Sequence, residues 1–215
     1  MEISFWLWNT YLCLGLIAIV LSLICIFSEL RACRNRKKEF SNLLKIAPAS
    51  YSILNAYAKS LKLSIEMQSP KESLKRPKKW KNIWYVGGKK IHVPRFLLDS
   101  CLNVPETWDS NLTCFAHEIG HIQNHDKNCS FASVKNLDMS LCPHNEINAQ
   151  RNGLIILKNL DLMPNERILK SAQQSFSNYL ADILKENKKC ANAIRKGKCP
   201  RLTWEEVIKV IDHGI

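Results

Sequence analysis

The apolar positions of this chain fall into one long unbroken block followed by shorter, periodic stretches. From Phe5 to Phe27 the sequence reads FWLWNTYLCLGLIAIVLSLICIF. That is about 23 residues without a charge, enough at roughly 1.5 Å per residue to cross a hydrocarbon layer of about 30 Å. Trp6, Trp8 and Tyr11 cluster at one end, where an aromatic belt lies in a membrane helix. A cleaved signal peptide would have a basic start, a shorter apolar run and a small-residue cleavage site, and none of these is present. The block therefore predicts an N-terminal transmembrane helix, an anchor over residues 1–28.

Beyond it the pattern turns helical. Leu43, Leu44 and Ile46, then Tyr51, Ile53, Leu54, Tyr57, Ala58 and Leu61, suit a short helix and a second one after Pro48. Ser69 to Lys81 is basic and punctuated by prolines, which reads as a loop or flap. IWYVGGKKIHV, Ile83 to Val93, has two β-rich runs around Gly87 and Gly88 and predicts a hairpin. A helix capped by Asp109 or Ser110 follows, its apolar stripe formed by Leu112, Phe115, Ala116, Ile119 and Ile122 and its end near Asp126. Pro143 opens another that runs to about Asn159, Asn165 caps a long third one, and Thr203 with Glu206 forms a capping box for a last short helix. The expected fold is mainly α with a small β-hairpin or sheet, an α+β zincin-like domain over residues 43–215 behind the anchor and a basic juxtamembrane linker, 29–42.

Charge sets the orientation. Arg31, Arg34, Arg36, Lys37 and Lys38 follow the anchor at once, with no basic side chain on the other flank, so the bulk of the chain belongs in the cytoplasm of a single-pass membrane protein. Nine cysteines, an odd number without regular spacing, fit reduced thiols there. The net charge of +12 is concentrated in that cluster, in KESLKRPKKWK and in KENKKCANAIRKGK. Next to a bilayer partner held through residues 5–27, the five juxtamembrane basic residues predict contact with anionic lipid headgroups, on the order of 1 kcal/mol each. A nucleic-acid partner is disfavoured, because the basic runs lack interleaved aromatics and no reading motif accompanies them.

The chemistry is concentrated in CFAHEIGHIQNHDKNC, Cys114 to Cys129. Residues four apart share a helix face, so His117 and His121 can turn imidazole nitrogens to one ion. Glu118 points beside that ion, where a base is needed to take a proton from water. Chance produces such a motif in roughly one chain of this size in a hundred, which disfavours two merely solvated histidines. Gly120 in the helix interior costs about 1 kcal/mol relative to alanine unless close packing requires it.

A third ligand must come from elsewhere. His125 lies about 12 Å of helix rise from His117, too far for both to reach one ion. Cys114 and Cys129 lie off the ligand face or beyond the helix. Glu146, in the first turn of the next helix with the small Ala149 one turn on, is the better candidate; His144 is the alternative, with Asp126 and Asp138 behind it. As a donor to a developing oxyanion, Tyr179 and His144 are the candidates.

HEIGHIQNH followed by NEINAQRNGLIILKNLDLMPNERILKSAQQSFSNYLADIL resembles the YugP-type neutral zinc metallopeptidases, over Ile91 to Leu184, and the anchor agrees in position. The resemblance implies a zinc cofactor on His117, His121 and Glu146, a base at Glu118, and membrane-associated hydrolysis of a protein or peptide substrate. The chain departs from that family in having no further hydrophobic segment. Related gluzincins with a Glu-X-X-Ala-Asp element have aspartate where Gln150 stands. Two other readings stay open: a catalytically inactive zincin-like binding or scaffold module, and a regulator of the kind that cleaves repressors with a soluble HEXXH domain.

Overall fold

A computed structural model describes residues 2–69, 85–87, 89–95, 97, 105–123, 143–198 and 203–213. Its elements are α1 (Glu2–Ile46), α2 (Ala49–Ser60), β1 (Ser64–Met67), β2 (Tyr85–Gly87), β3 (Lys90–Val93), α3 (Pro105–Gln123), α4 (Pro143–Asn159), α5 (Glu166–Glu186), α6 (Lys188–Arg195) and α7 (Trp204–His213).

The first difference from the sequence reading is α1, a single helix of 45 residues. Residues 29–42 are helical and continuous with the apolar block, and their last turns enter the domain: Phe40 is 3% exposed and Leu43 fully buried. Full burial of such side chains contributes about 1.5–3 kcal/mol each, enough to hold the end of α1 in place. No glycine or proline interrupts residues 28–46, so nothing local ends the helix until Pro48, which biases Ala47 away from helical backbone. Leu14 to Leu30 carry exposed apolar side chains, and α1 is the one described helix long and apolar enough to cross a membrane.

The sheet is the second difference. Among the described residues it has three strands, in the order β1-β3-β2. β2 and β3 pair antiparallel with Val86 opposite Ile91, as the two β-rich runs suggested, and Gly88 between them lies outside the described residues. β1, which the pattern left unassigned, pairs parallel with β3, Ile65 opposite Ile91 and Glu66 opposite His92. Ser64 and Glu66 alternate with Ile65 and Met67 in a stretch of only four residues, which hid it. The carboxylate is 1% exposed and gathers Cys33, Arg36, Lys90 and His92 around it. Burial alone would raise its pKa, but the Cys33 thiol and the charges of Lys90, Arg36 and His92 outweigh this and hold the carboxyl below its ordinary value.

Two cores flank the α3–α4 pair. The first joins the end of α1, α2, the sheet and one side of α3, with Tyr51 at its centre: its ring meets Trp108 at 5.1 Å and its hydroxyl donates to the Trp108 carbonyl at 2.7 Å. The second joins Ile147 of α4 to α5, α6 and α7. There Asn165 caps α5 by accepting from the Ile168 N–H at 3.0 Å, and Thr203 and Glu206 form the expected reciprocal box. The Ser177 hydroxyl donates to the Val210 carbonyl at 2.6 Å and fixes α5 to α7. Asp109 and Ser110 are not caps. They lie inside α3, which begins at Pro105, a residue suited to a first turn because its missing N–H has no partner to lose.

Candidate metal centre

The site lies on the seam between the two cores, where α3 and α4 touch backbone to backbone. A Cβ on Gly120 would collide with the Ala149 carbonyl, and one on Gly153 would stand 2.8 Å from the His117 nitrogen. The Asn152 amide reaches the Gly120 carbonyl at 3.4 Å. The sequence pointed to Gly120 and Ala149; Gly153, four residues after Ala149 and so on the same face, was overlooked. Gly120→Ala is therefore expected to force the two backbones apart. Overpacking of this kind costs about 1–3 kcal/mol, and backbone on both sides puts it at the upper end. A lower melting temperature together with weaker metal uptake is the expected outcome, while Gly15→Ala, with nothing within 4 Å, should leave both unchanged.

This contact brings Glu146, in the first turn of α4, against the two histidines of α3. His117 Nε2 is 3.2 Å from Glu146 Oε2, and His121 Nε2 is 3.6 Å from Glu146 Oε1. The three donor atoms all lie within 4.8 Å of one another. Donors about 2.1 Å from a tetrahedral ion stand about 3.4 Å apart. The two closest approaches lie on either side of that value, each to a different oxygen of Glu146, and two imidazoles with one carboxylate could hold a metal ion.

His117 is held from behind. His117 Nδ1 lies 2.9 Å from Gln150 Oε1, an acceptor that keeps a proton on Nδ1 and leaves Nε2 for an ion. Gln150 thus makes a carbonyl contact to the histidine. The Phe176 ring packs on His117 at 5.6 Å between centroids, a position the sequence read only as core.

The electrostatics divide the histidines. Burial works against a charge on His117, but the hydrogen bond and charge of Glu146, with Glu118 and Gln150, outweigh it and its pKa is raised. At His121 burial and the neighbouring His117 together push the pKa down to about 4, against the pull of Glu146. His121 is a neutral donor at physiological pH, the form an ion requires.

Glu118 is not in the cluster of donors. Although 6% exposed, it lines a cavity of about 230 Å³ together with His117, Cys114, Phe176 and Tyr179. Tyr179 comes from α5, across the cavity from α3. Cys114, set aside as a ligand, also lines this space.

His144, the alternative ligand, is absent from the cluster: its Nε2 meets the Asn148 amide nitrogen at 2.9 Å, one turn along its own helix. His125, Asp126, Cys129 and Asp138 lie outside the described residues, as does the basic segment 70–81. No protein-family model, curated protein or solved structure matches the chain, so what the centre can do follows from its own geometry.

Proposed function

We propose that the chain is a zinc-dependent endopeptidase tethered to a membrane, with α1 crossing the bilayer and the domain on its cytoplasmic side. The observation that carries this reading is the convergence of His117, His121 and Glu146 from two helices, with Glu118 beside them in a cavity. Among the described residues three donors stand beside a cavity, an arrangement that favours room for water and substrate. The resemblance to YugP-type metallopeptidases points the same way. The exposed apolar length of α1 and the basic cluster after it favour the membrane placement.

Zinc bound there would supply a Lewis acid and lower the pKa of a water molecule towards about 7. Glu118 accepts the proton that the attacking water gives up and passes it to the departing amine nitrogen, so that one water is consumed for each peptide bond broken. Gln150 and Phe176 hold the His117 ring. Tyr179 can donate its phenolic O–H to the carbonyl oxygen as charge develops on it.

Purified full-length protein is expected to carry about one zinc per chain and to hydrolyse a denatured protein such as casein. A zinc chelator should abolish the hydrolysis, and added zinc should restore it. Protein that takes up no zinc at micromolar concentration would rule the proposal out.

A further inference from the structure

We propose that the substrates are polypeptides anchored in the same bilayer, cut within about 20 Å of its surface; this rests on the peptidase reading above. The argument starts from the rigidity of α1. At about 1.5 Å per residue a 45-residue helix is about 68 Å long, twice the thickness of the hydrocarbon core. The apolar part ends at Phe27, and residues 28–46 stand beyond it without a glycine or proline to bend them.

The domain grips this outer segment along one face. The Cys33 thiol donates to Glu66 Oε2 at 3.1 Å, and Arg36 Nη2 is 3.7 Å from Glu66 Oε1. One turn on, Glu39 pairs with Arg95 at 2.8 Å, and Phe40 and Leu43 are buried in the first core. Arg36 thus turns towards the sheet and leaves Arg31, Arg34, Lys37 and Lys38 exposed on the remaining faces. Those four are placed to meet anionic headgroups and fix the depth of the helix.

The metal centre hangs directly on this shaft. The Phe40 ring meets Phe115 edge to face, 6.4 Å between centroids, and Phe115 is two residues before His117 on α3. Phe40 lies 13 positions after Phe27, about 20 Å along the helix. With the helix along the bilayer normal the centre stands about 20 Å above the hydrocarbon edge, and tilt lowers it.

A flexible linker over residues 29–42 would let the site sweep through some 20 Å of cytoplasm; the helix does not. A substrate anchored in the same membrane is confined to that height, and an extended segment covers about 20 Å in roughly six residues from its own span. Shared anchoring raises the effective concentration of such segments, whereas soluble proteins meet the site only by free diffusion.

The test maps new protein amino termini in cells bearing the wild-type chain, the Glu118→Gln chain, or a chain with seven alanines inserted after Leu30. Seven residues make nearly two whole turns, keep the facing of the domain, and lift the centre by about 10 Å. Termini that depend on Glu118 are expected roughly five to ten residues from the cytoplasmic end of transmembrane segments. With the insertion they should move outward by about three residues. Glu118-dependent termini in soluble proteins, or far from any span, would overturn this inference and leave the peptidase standing. A complete absence of Glu118-dependent termini would overturn the peptidase reading and this inference with it. Zinc content of the insertion chain checks its fold, and the wild-type map decides the question without it.

Discussion

Glu118→Gln is expected to lower turnover by about 10²–10⁴-fold while leaving zinc content and melting temperature close to those of the wild type. Glutamine keeps the size of the side chain and removes its capacity to accept a proton. Since the residues that could hold the ion are His117, His121 and Glu146, the variant loses none of them. The comparison therefore separates holding an ion from using it. Metal analysis and a chromogenic protein substrate, measured on the same preparation, suffice. Retained zinc with unchanged turnover would remove Glu118 as the base. Loss of zinc would mean that Glu118 supports the centre rather than the chemistry. A scaffold module would show no hydrolysis in either form.

Much of this centre was legible in the sequence because it is built from local rules. Helical spacing fixes His117 and His121 on one face whatever surrounds them, and a proline start places Glu146 in a first turn. Gly120 announced a close approach of helices, since a glycine inside a helix costs stability unless packing requires it, and the small Ala149 leaves room for it. The caps at Asn165 and Thr203 were likewise readable, because a cap is a contact over three residues. What escaped depends on contacts distant in sequence. β1 is four residues long with a glutamate in it, and only its parallel pairing with β3 and the cations around Glu66 make it a strand. α6 falls in the basic run KENKKCANAIRKGK, to which the pattern assigned no element, yet Cys190 and Ile194 are buried in the second core and Asn187 caps its start. The outer half of α1 was taken for a linker because its charges masked Cys33, Arg36, Phe40 and Leu43, a one-sided stripe that is apolar only at its far end. Gln150 could not be weighed from its type alone, because its use depends on the 2.9 Å contact to His117 on the other helix.

The choice of third ligand can be decided by a graded series. Glu146→Ala is expected to weaken zinc binding by more than about 100-fold, beyond the 10–100-fold typical of residues that only orient a ligand. Two imidazoles are left without the carboxylate that draws them together, and the centre loses its one negative donor. Because Glu146 is 3% exposed, the isosteric Glu146→Gln serves as a fold-preserving companion, and it should weaken zinc binding in the same direction. Gln150→Ala should fall in the 10–100-fold range, since it frees the His117 ring without removing a donor. His144→Ala should lie within about threefold of the wild type, its Nε2 being turned to Asn148. Competition against a chelator of known affinity, with melting curves to show that each variant is folded, gives the order directly. Were His144→Ala to weaken zinc as much as Glu146→Ala, the carboxylate would lose its place in the centre, and the pairing of α3 with α4 through Gly120 and Gly153 would need another purpose.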